Sequence, residues 1–222
     1  MRVLLSWSSG KDSAWSLHVL RQQPDVEVVG LLTTVNETHE RVAMHAVRQG
    51  LVRAQADAAG LPLREVGLPH PCPNGVYEER MAAALAEVKA EGVEAVAFGD
   101  LYLEDIRAYR EQRMAGTGLS TRFPLWQRPT RDLAREMMAG GLRAIVTSVD
   151  PKQIDPSFVG RAWDESFLAD LPESADPCGE NGEFHSFVWA GPMYRAPLDV
   201  KVGQTVERDG FWFADVLPAT AA

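Results

Sequence analysis

Basic charge is what this chain is short of. It has 22 Lys and Arg against 31 Asp and Glu, a formal net charge of −9, and no block of basic residues. Nucleic-acid binding rests on many cationic contacts to phosphate, so the balance argues against a general nucleic-acid-binding role, though not against one small anionic ligand. Cysteine is equally scarce: Cys72 and Cys178 are too few for a disulfide framework or a Cys-rich zinc site. No apolar run approaches the ~18 residues that a membrane span needs. The N-terminus leads straight into an apolar stretch without a signal-peptide pattern. Internal repeats and low-complexity tracts are missing too. The expectation is a cytoplasmic globular protein whose 222 residues form one large domain, or a domain and an appendage. A homodimer is left open.

The first stretch of the chain is its most informative. Val3, Leu4 and Leu5 form a continuous apolar run, as in a strand covered on both faces. Ser8, Ser9 and Gly10 follow as a turn of small residues, and a helix opens at Lys11. Free N–H groups at a helix start, with the helix dipole behind them, make an anion site. Lys11 adds a point charge and Ser13 a hydroxyl, so the expected anion is a phosphate. A Walker A loop would need glycine at the position of Leu5, and a Rossmann turn would need more than the single Gly10. The plainer alternative is a capped helix start with Asp12 and Ser13 in its first turn.

Beyond that turn, strands and helices alternate. A helix carrying Ala14, Leu17 and Leu20 ends near Gln23–Pro24. Val26–Thr34 is the second strand, and Thr33 and Thr34 end it on the side where open parallel sheets bind ligands. A polar loop then leads to a helix over Met44–Ala59, with His45 at its start facing the same crevice and Gly60 as its cap. A strand over Leu61–Val66, a helix over Val76–Glu91 and a strand over Ala95–Phe98, closed by Gly99–Asp100, continue the pattern. The charge run over 101–114, which includes Arg107 and Arg110, reads either as a solvated helix face or as the wall of a pocket. A strand over Ser120–Leu125, a helix over Arg131–Met138 capped by Thr130, and a sixth strand over Leu142–Val149 complete the series. A parallel α/β domain is therefore expected over residues 1–150.

Residues 151–222 have a different texture and are expected to form a smaller C-terminal region with β-hairpins. An acid- and proline-rich loop over 168–178 precedes Cys178–Gly179–Glu180–Asn181–Gly182–Glu183–Phe184–His185, in which Asn181–Gly182 reads as a tight turn running into a strand. Val200–Glu207 and Phe211–Val216 read as a closing hairpin. Glu180 and Glu183 flank the tight turn, with Cys178 and His185 close by. The cluster has three readings: a hairpin with solvated acids; a metal site of Cys, Glu and His, whose spacing fits no standard zinc pattern; or a polar pocket that holds an amine-bearing or cationic substrate or supplies a base.

Ser8–Ser9–Gly10–Lys11–Asp12–Ser13 after an N-terminal strand resembles the pyrophosphate loop of the PP-loop ATPases, Ser-Gly-Gly-Lys-Asp-Ser, with Ser9 in place of the first glycine. Together with Gly99–Asp100, Pro124–Leu125–Trp126 and Gly179–Glu180–Asn181–Gly182–Glu183–Phe184, it makes nearly the whole chain similar to the diphthine–ammonia ligase branch of that superfamily and its bacterial relatives. The last segment matches the branch's Glu-Gly-Gly-Glu-Tyr/Phe signature at Glu180, Gly182, Glu183 and Phe184. It departs from the ligase proper at Asn181 and at His185–Ser186, where the ligase has Gly and Glu-Thr.

The resemblance implies a Rossmann-like, doubly wound parallel sheet with helices on both faces. It implies ATP cleaved between its α and β phosphates, a carboxylate activated as an acyl-adenylate, and attack by ammonia or an amine to give an amide, AMP and pyrophosphate. Lys11, Asp12, Glu180 and Glu183 are the implied catalytic residues. Ser6, Trp7, Ser8, Ser9, Gly10, Lys11, Asp12, Ser13, Thr33, Thr34, His45, Gly99 and Asp100 would surround the nucleotide, with Mg²⁺ carried on ATP at Asp12. Trp126, Cys178, Gly179, Glu180, Asn181, Gly182, Glu183 and His185 would surround the acceptor, a small-molecule or protein carboxylate that the sequence does not name. Two other readings stand beside this one. One is a sensor that holds ATP or AMP without turnover. The other is a sulfur-transfer enzyme, for which Cys72 and Cys178 supply two thiols but the charge is wrong for RNA. Eukaryotic ligases are expected to carry a further C-terminal domain that this chain is too short to hold.

Overall fold

The computed structural model describes residues 1–37, the backbone of 41–42, and residues 47–219. The first six strands are β1 (Arg2–Ser6), β2 (Glu27–Asn36), β3 (Arg41–Val42), β4 (Leu63–Leu68), β5 (Ala95–Ala97) and β6 (Ser120–Arg122). Five of them run parallel in the order β4-β2-β1-β5-β6, while β3 pairs antiparallel with the end of β2. The order reverses at β1, so a crevice opens between β1 and β5 at their carboxyl ends, where open α/β sheets bind ligands.

Both faces of this sheet are covered, which is why Val3–Leu5 is apolar throughout. Val3 and Leu5 enter one core with α1 (Lys11–Arg21), α2 (Gln49–Ala59) and, later in the chain, α5 (Thr130–Ala139). Leu4 enters a second core with α3 (Asn74–Ala90) and α4 (Glu104–Met114). The sheet is thus doubly wound, as expected. The second helix begins at Gln49 rather than Met44, and His45 lies outside the described residues. Pro129, not Thr130, occupies the cap position of α5; the Thr130 hydroxyl donates to Asp176 instead, at 2.6 Å.

The strand over 143–149 corrects the sequence reading. β7 (Arg143–Val149) leaves the parallel sheet and joins β8 (Phe184–Ala190), β9 (Val200–Arg208) and β10 (Phe211–Pro218) in an antiparallel sheet of order β8-β7-β10-β9. A boundary near residue 150 therefore falls within the second sheet; by sheet membership the chain divides between β6 and β7. The cause of the misreading is physical. A strand buried on both faces shows the same unbroken apolar run whether its neighbours are parallel or antiparallel. A 3₁₀ turn (Pro156–Phe158) and α6 (Glu165–Asp170), capped by Asp164, connect β7 to β8. The hairpin of β9 and β10 is as expected.

The second sheet packs on the first through the large core, which holds Phe184, Phe187 and Val188 of β8 together with Leu5 and Leu17. Polar pins set the register of this contact. Gln55, fully buried on α2, accepts from Trp7 Nε1 at 2.9 Å and donates to the carbonyls of Ser9 at 3.0 Å and Val188 at 2.7 Å. The Val188 N–H donates to the Ser9 carbonyl at 3.0 Å. Ser9 sits at φ 71°, in the left-handed region, and its hydroxyl is buried without a partner. The related loop has glycine there, and this conformation explains it: only glycine adopts it without a Cβ clash.

Ser9→Gly is therefore expected to stabilise the protein. Relief of the left-handed serine and removal of an unpartnered hydroxyl should outweigh glycine's greater freedom when unfolded. The net gain is about 1 kcal/mol, or ~2–4 °C in melting temperature by calorimetry.

Candidate functional site

The turn between β1 and α1 delivers an uncapped helix start. Gly10 holds the cap position with extended backbone and no side-chain cap, so the capped-start alternative does not apply. The serines brace the turn instead. The Ser8 and Ser13 hydroxyls lie 3.1 Å apart, Gly10 N–H donates to Ser8 Oγ at 3.3 Å, and Ser13 Oγ donates to the Gly10 carbonyl at 3.0 Å. Lys11 N–H donates to Ser186 Oγ of β8 at 3.2 Å. A Cβ on Gly10 would lie 3.2 Å from the Ser186 carbonyl, and one on Gly99 3.0 Å from the backbone of Asp12 and Ser13. A side chain at either position would press on backbone, so both glycines sit where the protein packs tightly on itself.

A cavity of about 240 Å³ lies over this helix start. Its walls are Ser6, Ser8, Gly10, Lys11, Asp12 and Ser13 from the end of β1 and the turn, Phe98, Gly99 and Asp100 from the segment after β5, Arg110 from α4, and Cys178, Gly179, Glu180, Gly182, Phe184, His185 and Ser186 from the C-terminal motif. The three separated motifs thus meet in one place. A larger, mainly apolar cavity of about 590 Å³ adjoins it and shares Ser6, Ser8, Phe98 and Arg110. Trp7, Thr33 and Thr34 line this second space, opposite Tyr77 and Met81 of α3, and the Thr33 hydroxyl is buried without a partner.

Lys11 is only 3% exposed. Its ammonium lies 2.8 Å from Asp12 Oδ2, donates to the Cys178 carbonyl, and stands 5.4 Å from the ring centre of Phe184. Burial pulls the ammonium downward, but the charge and hydrogen bond of Asp12, together with Cys178 and Glu180 nearby, outweigh it and hold Lys11 above its usual range. The remaining Asp12 oxygen, Oδ1, is buried with no hydrogen-bond partner.

The two motif glutamates part company. Glu180 faces the cavity and accepts from the N–H groups of Leu101 at 2.7 Å and Tyr102 at 3.3 Å. Burial pushes its carboxyl up to about 7 against the pull of those donors. Glu183 is 1% exposed and turned away from the cavity. It accepts from Asp176 N–H at 2.8 Å, Asn181 N–H at 3.0 Å and Asn181 Nδ2 at 3.0 Å. The expectation that the turn presents both carboxylates to one pocket is therefore corrected: three donors within the loop claim Glu183. Asn181 is likewise spent, on Glu183 and on the Tyr102 hydroxyl at 3.2 Å.

His185 lines the cavity, and burial with the nearby Lys11 charge pushes its imidazole down to about 4. Cys178 contributes its carbonyl to Lys11, while its buried thiol donates to the Thr130 carbonyl at 3.4 Å and is pushed well above the usual thiol range. Trp126 lines neither cavity; the Arg107 guanidinium lies 4.8 Å from its ring centre. Among the described residues no group of three or more His, Cys, Asp or Glu could hold a metal ion, and no helix is long and apolar enough to cross a membrane.

Sequence reasoning missed Gln55, Ser186 and Asp176. Asp176 accepts from Cys178 N–H at 2.8 Å and organises the motif loop. Gln55 and Ser186 carry no local mark, because their partners are distant in sequence; for Asp176 the available signal was the Asx turn, an Asp bonded to the backbone two residues on. Arg110 was visible only as part of a charge run.

A family model described as the diphthamide synthase N-terminal domain matches residues 1–120, and one described as the diphthamide synthase C-terminal domain matches 129–217. Diphthine–ammonia ligases from Rattus norvegicus and Danio rerio are 26% and 27% identical, over 97% of this chain and 89% and 92% of their own lengths. That coverage leaves little room in these vertebrate proteins for the further domain expected of eukaryotic members. A solved structure titled as a predicted subunit of tRNA methyltransferase from Methanocaldococcus jannaschii aligns over 63% of this chain and 75% of its own, at 17% identity and a TM-score of 0.39, too weak a likeness to bear on function.

The divergence of the two glutamates is testable by stability. Glu183→Gln turns an amide N–H₂ toward donors and should cost about 2–3 kcal/mol, a drop of roughly 5–10 °C in melting temperature. Glu180 behaves oppositely. Its folded value is about 7 against an ordinary 4.5, so the stability it contributes is complete below 4.5 and is lost as pH rises toward 7. Glu180→Gln, which cannot ionise, should match the parent at acid pH and exceed it in melting temperature at pH 8.

Proposed function

Because the chain belongs to the diphthamide synthase family, we propose that its activity as an ATP-dependent amide ligase runs by adenylation in the paired cavities. The convergence of the phosphate-type turn, Gly99–Asp100 and the Glu180 motif around a buried, charged Lys11 is the observation that carries this reading. ATP would lie along the crevice between β1 and β5. The apolar cavity, with Thr33 and Thr34 at its edge, suits the adenosine, and the start of α1 beyond the Lys11 N–H, with Ser8 and Ser13, suits the terminal phosphates. Lys11 offsets charge that builds as pyrophosphate leaves.

Oxygen donors at the same place fit Mg²⁺. Asp12 Oδ1 is buried and unpartnered, and Asp12 and Asp100 both line the phosphate cavity. Mg²⁺ is held in many sites by one or two carboxylates plus substrate phosphates, and when bound it neutralises phosphate charge. The chain's own part is to fix these carboxylates, through Lys11 for Asp12 and Arg110 for Asp100.

The acceptor carboxylate oxygen attacks the α-phosphorus, and the bond to the bridging oxygen breaks as pyrophosphate departs. Ammonia or an amine then attacks the acyl carbon, AMP leaves, and the nitrogen gives up a proton. Glu180 is suited to receive it: it faces the cavity, and a value of about 7 matches a general base at neutral pH. His185, down at about 4, remains neutral there and serves better as a hydrogen-bonding group. The sulfur-transfer reading loses support, since the Cys178 thiol is buried and held protonated.

Phosphorus NMR of spent reactions, run with a carboxylate found by pyrophosphate exchange, should show AMP and pyrophosphate in equal amounts. Lys11→Ala should lower turnover by about a hundredfold or more. ADP and orthophosphate as the main products would overturn the adenylation mechanism.

A further inference from the structure

The charge run on α4, by sequence either a solvated face or a pocket wall, is divided by the structure. Glu104, Asp105 and Glu111 are exposed, while Arg107 and Arg110 turn back onto aromatic rings. The Arg107 guanidinium lies 5.0 and 4.8 Å from the ring centres of Phe123 and Trp126, its Nε donates to Glu111 Oε1 at 2.8 Å, and it lines neither cavity. Arg110 is placed differently. Its guanidinium lies 5.0 Å from the ring centre of Phe98, and its Nε is 3.4 Å from Asp100 Oδ2. Phe98 supports the plane from one side and Asp100 holds the inner nitrogen. The two terminal nitrogens make no contact that would use their donors elsewhere among the described residues. Arg110 is also one of four residues that line both cavities, and of those four it alone carries a charge.

We propose that Arg110 is a catalytic residue of this ligase, clamping the α-phosphate of ATP during adenylation. The inference rests on the reading that ATP spans the two cavities. With adenosine in the apolar cavity and the terminal phosphates on the α1 turn, the α-phosphate falls at their junction, where Arg110 stands. A planar guanidinium held at its inner nitrogen presents the outer pair as a fork, the geometry that matches two phosphate oxygens. As the acceptor oxygen bonds to phosphorus and pyrophosphate departs, the non-bridging oxygens stay anionic. Arg110 keeps donating to them through the acyl-adenylate and to the AMP that leaves. No proton or electron passes through it. Lys11 and the turn act on the departing pyrophosphate, so the two cations divide the triphosphate between them.

The test is a phosphate-length series. Affinities for adenosine, AMP and ATP, and for pyrophosphate alone, are measured by calorimetry on the parent, Arg110→Met, Arg110→Lys and Lys11→Ala. Arg110→Met keeps an apolar stem on Phe98, so the fold should hold, with circular dichroism as the control. It should bind adenosine like the parent and lose about ten- to hundredfold for AMP and ATP alike, with no change for pyrophosphate. Arg110→Lys keeps the charge without the fork and should recover only part of the loss. Lys11→Ala should lose affinity for ATP and pyrophosphate while keeping AMP. Pyrophosphate-exchange turnover of Arg110→Met should fall further than saturation with ATP can restore. Loss already with adenosine would mean that Arg110 merely shapes the apolar cavity, and loss confined to ATP and pyrophosphate would put it on the terminal phosphates; either overturns the proposal. A parent that gains no affinity from any phosphate would instead overturn the two-cavity reading itself.

Discussion

One strand laid across one turn is the constraint on which the rest depends. β8 crosses the turn between β1 and α1 closely enough that the Val188 N–H meets the Ser9 carbonyl at 3.0 Å, Ser186 Oγ meets Lys11 N–H at 3.2 Å, and Gln55 ties both backbones to α2. Such an approach demands small residues and full satisfaction of buried polar groups. Gly10 meets the first demand against Ser186, and Gln55 meets the second with three hydrogen bonds. The same contact sets where the C-terminal motif falls. Once β8 is fixed on the turn, the loop preceding it must close over Lys11, and the Cys178 carbonyl becomes a partner of the ammonium.

Closing that loop takes charged groups out of water, and each responds according to what it meets. Lys11 keeps its charge because Asp12 and a carbonyl are within reach. Glu183 is held by three donors of its own loop, so its burial is matched by hydrogen bonds. Glu180 meets two donors and faces the cavity, and burial lifts it into the neutral range. Carboxylates three positions apart thus become a structural pin and a titrating group. Separation of this kind lets one short loop hold its shape with one carboxylate while burial lifts the other.

The α4 arginines extend the same argument to the rim of the site. Stacking on Phe98, Phe123 and Trp126 fixes guanidinium planes that would otherwise sample many rotamers. Trp126, expected beside the acceptor, is part of this scaffold, while Arg110, one helical turn along from Arg107, reaches the cavity junction. The fixed geometry comes from aromatic faces supplied by the segments after β5 and after β6, not from α4 itself.

By itself the sequence determined the parallel alternation of strands and helices, the phosphate-type turn at Ser8–Ser13, the Gly60 cap, the Asn181–Gly182 turn and the closing hairpin. Each is written in residues close together in the chain: an apolar run, a glycine, a spacing. Tertiary structure alone decided that β7 belongs to the second sheet, because a fully buried strand carries no mark of its neighbours' direction. It alone decided that Glu183 turns inward while Glu180 turns out, because that choice is made by the N–H groups of Asp176, Asn181, Leu101 and Tyr102. It alone set Gln55 between two backbones and Arg110 between Phe98 and Asp100, since a side chain's surroundings are set by what long-range packing brings against it. Periodicity and spacing record which face a residue prefers; they hold no record of the partner across the fold.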